Sequence, residues 1–209
     1  MRIGIIGAGR VGSTLARKLA GIGHEVAIAN SRSPETLKDL VSQISGPITA
    51  VTAQEAAQYG QLVVVAIPFG RINELPVADL RDKVVVDACN YFPERDGRDP
   101  ELDEDRTTSS EKLRALTGAD LVKAFNAIHW ENLRDRGRPK GDPARLAIPL
   151  SGDDEEAKAV VAGLIRDLGF DPVDAGYLGR GGRRHQPGAT AFAAGLSAAE
   201  LDALVHAAV

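Results

Sequence analysis

The chain has 209 residues, 44% of them hydrophobic and 26% charged, with a formal net charge of −4. That size supports one well-packed core, or one core with a small second lobe, and the acidic balance argues against a nucleic acid or an anionic membrane surface as the main partner. No apolar run reaches the roughly 20 residues that span a bilayer, and the single cysteine excludes an intramolecular disulfide and a cysteine-rich zinc site; no metal site is expected.

The first residues form a strand-like run, Arg2-Ile3-Gly4-Ile5-Ile6, without the charged and apolar segments of a signal peptide, so a reducing cytoplasmic location is the expectation. Val11, Leu15, Leu19 and Ile22 then recur at helical spacing, and Gly23 reads as a stop. Further short β-branched runs follow at 26–28, 48–51, 62–67, 84–87, 121–124 and 146–150. Like residues 3–6 they are nearly continuous in apolar residues, as expected of strands buried on both faces. Between them, Ser33-Pro34 reads as an N-cap with proline at N1, opening a helix through Leu37 and Leu40. Residues 94–105 are charged and contain Gly97 and Pro100, so an exposed connection is predicted; their acids do not follow a calcium-loop spacing. Thr108 and Glu111 fit a capping box ahead of Leu113 and Leu116. Residues 152–168 read as a helix leading to a last strand at 172–174, and 177–188, rich in glycine and arginine, read as a loop. Alternating strands and helices imply a parallel sheet covered on both faces. A soft boundary near Gly118 separates residues 1–118 from a smaller α/β extension at 119–209.

The first strand leads directly into Gly7-Ala8-Gly9-Arg10-Val11-Gly12. A G-x-G-x-x-G between strand and helix marks a doubly wound, Rossmann-type dinucleotide site. Gly7 permits the tight turn, Gly9 lets backbone approach a pyrophosphate, and Gly12 lets helix and strand pack closely. The helix start offers unpaired N–H groups and a positive partial charge to the phosphates. The second strand ends in Ala29-Asn30-Ser31-Arg32-Ser33, with no acid to accept from a free ribose hydroxyl. Ser31 can donate to a 2′-phosphate, and the planar fork of Arg32 can clamp it or stack on adenine. Arg10 adds positive charge nearby. The expected cofactor is therefore NADP(H).

Together with Ala66-Ile67-Pro68-Phe69, Val86-Asp87-Ala88-Cys89-Asn90 and Val122-Lys123-Ala124-Phe125-Asn126, these motifs resemble the F420-dependent NADP oxidoreductase family over nearly the whole length. The last motif is also similar to the reductase domain of the STEAP metalloreductases. The resemblance implies hydride transfer between NADP(H) and the deazaflavin coenzyme F420, in a homodimer acting on a small molecule. It places the nicotinamide over the carboxyl ends of the strands, bordered by Ile67, Pro68 and Phe69, with Asn90, Asn126 and Ala127 orienting the carboxamide. Asn126 and His129 are the candidate catalytic residues, His129 as donor to a substrate carbonyl; the other reading of His129 is a residue packed at a helix start, with Trp130 in the core. Residues 94–105 and 180–188 match no binding motif of the family.

Other polar residues have two readings. Cys89 is a small buried apolar residue or a redox group. Arg180, Arg183, Arg184 and His185 neutralise an acidic acceptor or belong to a solvated loop. Lys123 is expected to reach solvent from a strand end. Two other functions compete with F420 reduction: an NADPH-dependent reductase of flavin, ferric chelate or a small imine, and a non-catalytic NADP(H)-sensing module. Strands after Gly118 count against pyrroline-carboxylate reductases, which need a long helical dimerisation region.

Overall fold

Strands form where valine and isoleucine are densest. In chain order they are β1 (Arg2–Ile6), β2 (Glu25–Ala29), β3 (Ile48–Ala50), β4 (Leu62–Val65), β5 (Val84–Asp87), β6 (Asp120–Ala124), β7 (Ala147–Gly152) and β8 (Asp171–Asp174). The computed structural model, which describes residues 1–207, joins them in one sheet of order β3-β2-β1-β4-β5-β6-β7-β8. β1 to β6 are mutually parallel. The chain winds outward from β1 to β3, then returns to place β4 on the other side of β1. This reversal opens a crevice at the carboxyl ends of β1 and β4, where ligands bind in doubly wound sheets.

The sheet departs from the expected parallel order once, because β7 is antiparallel to β6. Residues following β6 stay at the carboxyl end of the sheet, so the next strand enters from that end and runs the other way. β8 is parallel to β7.

The helices are α1 (Arg10–Gly21), α2 (Lys38–Ser42), α3 (Ala53–Tyr59), α4 (Pro93–Asp96), α5 (Pro100–Asp103), α6 (Ser109–Thr117), α7 (Trp130–Asp135), α8 (Glu155–Asp167), α9 (Leu178–His185) and α10 (Ala198–His206). They form two layers, each with its own core. Because side chains alternate along a strand, Leu62 and Val64 of β4 join Leu15 and Leu19 of α1, Leu133 of α7 and Val161 of α8. Val63 and Val65 face the other way, toward Ala56 of α3, Leu113 of α6 and Leu178 of α9. A small third cluster under α10 contains Val173, Leu201 and Val205.

Local signals are met unevenly. Thr108 and Glu111 make both halves of the capping box at α6. Ser33 makes no side-chain cap bond, and Pro34–Leu37 is a 3-10 turn ahead of the short α2. Residues 94–105, expected as a plain exposed connection, contain most of α4 and all of α5 and bury Leu102. Residues 177–188, expected as a loop, contain α9 instead. Its glycines serve close packing: a Cβ on Gly181 would lie 2.6 Å from the Ala175 carbonyl oxygen and 2.8 Å from Ser151 Cβ. Lys123, expected in solvent, is 1% exposed. The β5 carboxylate of Asp87 draws it inward, as described below.

Candidate active site

Two of the three turn glycines are required by the protein itself. Gly7 has φ +115°, and a Cβ there would lie 2.2 Å from the Ala66 carbonyl oxygen. A Cβ on Gly12 would lie 1.8 Å from the Gly7 carbonyl oxygen, which is why helix and strand can close on each other only here. Gly9 is different. Its φ is −72°, a value open to any residue, and a Cβ would meet nothing within 4 Å. The space it leaves opens in front of α1, whose N-cap has no side-chain hydrogen bond and whose first turn carries no acid. The first N–H groups of a helix have no intrahelical acceptor, and here no side chain cancels their positive end. A helix start of this kind suits an anion such as a pyrophosphate, and the glycine at position 9 keeps the space before it clear. Ala8 and Val11 pack beside the core. The Arg10 guanidinium lies 5.4 Å from the centroid of Trp130.

On the β2 side, Asn30 shapes the loop that follows. Its Oδ1 accepts from the Arg32 backbone N–H at 2.8 Å, and its Nδ2 donates to Thr36 Oγ1 at 2.9 Å. Ser31 and Arg32 are left exposed. They line a cleft with Gly7, Thr52, Ile67 and Arg71. Arg71 reaches this cleft held by Glu74, through Nε at 2.8 Å and Nη2 at 2.5 Å. Thr52 caps α3 in a full capping box with Glu55. Neither Thr52 nor Arg71 was singled out by sequence; the T-x-x-E spacing at Thr52 was readable, whereas the reach of Arg71 across the cleft depends on the fold.

After β4, Ile67 is half-buried and Pro68 exposed, both at the crevice. Phe69 is not at the crevice: its ring is buried in the second core, edge-on to Tyr91 at 5.7 Å. Only its backbone belongs to the loop surface.

The ends of β5 and β6 carry a buried polar network. Asp87 Oδ1 accepts from the Cys89 N–H at 2.9 Å, and its Oδ2 accepts from Ser110 Oγ at 2.6 Å. Lys123 Nζ donates to Ser110 Oγ at 3.0 Å and to the Cys89 carbonyl at 3.2 Å, and lies 3.5 Å from Asp87 Oδ2. Burial and then the Asp87 charge push the Cys89 thiol well above its ordinary range, so it stays protonated and behaves as a small buried residue. Beyond it, Asn90 and Asn126 interlock: Asn90 Nδ2 donates to the Asn126 carbonyl at 2.9 Å, and Asn126 Nδ2 donates to Asn90 Oδ1 at 3.2 Å. Phe125, between β6 and Asn126, is buried with φ +62°. A bulky residue in this left-handed region costs about 1–3 kcal/mol; here it turns the chain abruptly beneath Asn126. The Ala127 carbonyl accepts from the Ala193 N–H at 3.0 Å, tying this loop to the carboxyl-terminal segment.

His129 is exposed as the N-cap of α7 and makes no side-chain cap bond. Trp130 is half-buried, with Arg10 and Arg134 at 5.4 and 4.8 Å from its ring, and lies outside the core. The four basic residues of α9 do not act as a group. Arg183 pairs with Asp105 at 3.3 Å, Arg184 donates to the Ala207 carbonyl at 2.8 Å, Arg180 is exposed and His185 is fully buried. Among the described residues no group of three or more His, Cys, Asp or Glu could hold a metal, and no helix is long and apolar enough to cross a membrane.

Residues 2–91 match the family model of coenzyme F420-dependent NADP oxidoreductases. The metalloreductase STEAP3 of Rattus norvegicus is 32% identical over 181 residues, which are 85% of this chain and 34% of that protein; the chain thus spans about a third of its length. Among solved structures, the hypothetical protein SMa0349 of Sinorhizobium meliloti is 33% identical, with a TM-score of 0.78 over 94% of this chain and 95% of that one. A candidate F420-dependent NADP reductase from Arthrobacter sp. FB24 is 29% identical, with a TM-score of 0.71 over 85% and 86%. An imine reductase from Pseudomonas sp., at 20% identity and a TM-score of 0.59, shares the fold. With its glycine turn and its doubly wound sheet, the chain is similar to the F420-dependent NADP oxidoreductases over residues 2–91 and shares its fold with these relatives over most of its length.

Proposed function

We propose that the chain transfers hydride between NADP(H) and the deazaflavin coenzyme F420. The observation that carries the cofactor half is Gly9, whose missing side chain leaves open the space before an uncapped helix. In this reading Gly7, Ala8, Gly9, Arg10, Val11 and Gly12 hold the pyrophosphate, and Ser31 and Arg32 hold the 2′-phosphate. Ile67, Pro68 and the Phe69 backbone border the nicotinamide, while Asn90 and residues 126–127 bind its carboxamide. Bound NADP(H) supplies or accepts the hydride. The chain's own contribution is positioning, which needs no nucleophile. Asn126 orients Asn90, and exposed His129 donates to the acceptor as negative charge develops on it.

The acceptor rests on the family description and on the Arthrobacter relative. The family match ends at residue 91, so the acceptor side falls to the second part of the chain. We assign residues 1–118 to NADP(H) and 119–209 to substrate and to a homodimer contact, in a reducing cytoplasm. The likeness to a metalloreductase supports a second reading, reduction of a ferric chelate. The deciding assay mixes reduced F420 with NADP+ and follows the absorbance of both. Turnover supports the first reading. Its absence with NADPH binding intact overturns it, and parallel runs with flavin and ferric chelate then separate another reductase from a sensor that turns over nothing. Light scattering at micromolar concentration tests the homodimer; a monomer contradicts it.

A further inference from the structure

His185 is the last residue of α9, which runs back along the sheet until its end reaches the carboxyl end of β6. The side chain is completely buried, although no acceptor or dinucleotide would touch it there. Its Nδ1 lies 3.0 Å from Asn126 Oδ1 and its Nε2 lies 3.0 Å from Ser151 Oγ, while its carbonyl accepts from Asn126 Nδ2 at 2.8 Å. These contacts leave one consistent arrangement. A backbone carbonyl only accepts, so Asn126 must turn its amino group toward it; Asn126 Oδ1 then requires a proton on Nδ1, and Nε2 accepts from the Ser151 hydroxyl. The second N–H of Asn126 goes to Asn90 Oδ1, and this in turn sets the orientation of the Asn90 amide, whose Nδ2 donates to the Asn126 carbonyl.

We propose that His185 is a positioning residue for the nicotinamide end of the site: its imidazole N–H and its backbone carbonyl clamp Asn126 from both ends, and through Asn126 they hold the Asn90 amide in place. The proposal rests on Asn90 and residues 126–127 forming the carboxamide-binding face. Without the imidazole, Asn126 Oδ1 is left buried with no donor, the Asn126–Asn90 pair shifts to find one, and a carboxamide needs the Asn90 amide in one place. The rest of the fold keeps His185 in reach. Gly181 brings α9 against Ser151, and a Cβ on Gly182 would lie 3.5 Å from the Lys123 side chain. Burial, and then the Lys123 charge, hold the imidazole neutral by lowering its pKa to about 3. The neutral ring is the form that donates at one nitrogen and accepts at the other.

The test compares NADPH with 2′,5′-ADP, which carries the adenosine half alone, for the whole protein and for H185F, H185N and N90A. The sole tryptophan provides the binding signal, with calorimetry as a check. H185F should weaken NADPH about tenfold, as expected for a disordered hydrogen-bonding pair, while 2′,5′-ADP changes less than about twofold. H185N keeps a donor toward Asn126 and should restore most of the NADPH affinity. Unchanged NADPH binding by H185F overturns the proposal, and so do equal losses for both ligands, which indicate general damage. Should H185F not fold, S151A carries the same comparison with a smaller selective loss. N90A separates the two levels. If N90A binds NADPH normally, the carboxamide face itself is wrong; if N90A is selectively weakened and H185F is not, only the role of His185 fails.

Discussion

In the proposed site Gly9 and Arg32 divide the recognition of a dinucleotide between them, and they do so by different physics. Gly9 contributes by having no side chain in front of a helix start, which serves any pyrophosphate. Arg32 contributes a fixed fork of donors that suits only the cofactor with a 2′-phosphate. Arg32→Ala should therefore weaken NADPH by about ten- to a hundredfold, the loss of a charged hydrogen bond, and leave NADH within about twofold; titrations of both cofactors check it, and equal losses would remove the 2′-phosphate assignment. Both assignments come from local patterns, glycine spacing in one case and the end of the second strand in the other. His185 was not legible, since its partner Asn126 is 59 residues away and nothing local distinguishes it from a solvated histidine. Its burial has a measurable consequence. The folded-state pKa is depressed to about 3 from 6.5, so between those values the unfolded chain binds a proton that the folded chain refuses, and stability rises with pH. Stability should fall as pH drops below about 6.5, by about 1.4 kcal/mol per unit and about 2 kcal/mol in all at pH 5. In urea melts from pH 7 to 4, His185→Asn should lose that part of the slope; parallel curves for the two proteins would refute it.

At the scale of elements, α9 is where sequence and structure part furthest. Each interior glycine costs a helix about 1 kcal/mol relative to alanine, so Leu178–His185, with Gly179, Gly181 and Gly182, reads as a loop. Tertiary packing reverses that preference, because only residues without a Cβ let the helix approach Ala175, Ser151 and Glu111 so closely. The strands and the α6 capping box, by contrast, rest on runs and spacings of a few residues, and they were readable. Lys123 shows the same limit on β6. Position alone suggested solvent, but the Asp87 carboxylate 3.5 Å away, on the neighbouring strand, holds it inside with Ser110 of α6. This pair ties β5, β6 and α6 together. Removing one member strands the other charge, a loss of about 3–5 kcal/mol in buried pairs. Lys123→Met should therefore lower the urea-unfolding free energy by about 3 kcal/mol, and the double variant D87N/K123M should recover a good part of it. Asn at position 87 keeps an oxygen for the Cys89 N–H. A double variant no more stable than K123M would mean that the charge pair is not the source of the loss.

For the whole molecule, the question is whether the division near Gly118 is one of task or of folding. Gly118 ends α6 in a left-handed conformation, φ +65°, and the chain turns there into β6. From the sequence a soft boundary is placed here. The sheet, however, continues through it: β6 pairs in parallel with β5 from Val84↔Asp120 to Asp87↔Lys123. Val122, Ala124, Ile148, Val161 and Ile165 share one core with Ile3, Ile5 and Leu15. Cutting after Gly118 would open the β5 edge, expose the apolar face that α7 and α8 cover, and leave Asp87 without Lys123. An unpaired apolar strand edge promotes association between chains. A fragment of residues 1–118 should accordingly contain every residue proposed for the phosphates and the adenosine, yet fail to bind NADPH and show no cooperative melt by circular dichroism. A soluble fragment that melts cooperatively and retains NADPH would show that residues 119–209 are an added lobe. The expected failure would show instead that the site for one substrate depends on a sheet completed by the part assigned to the other.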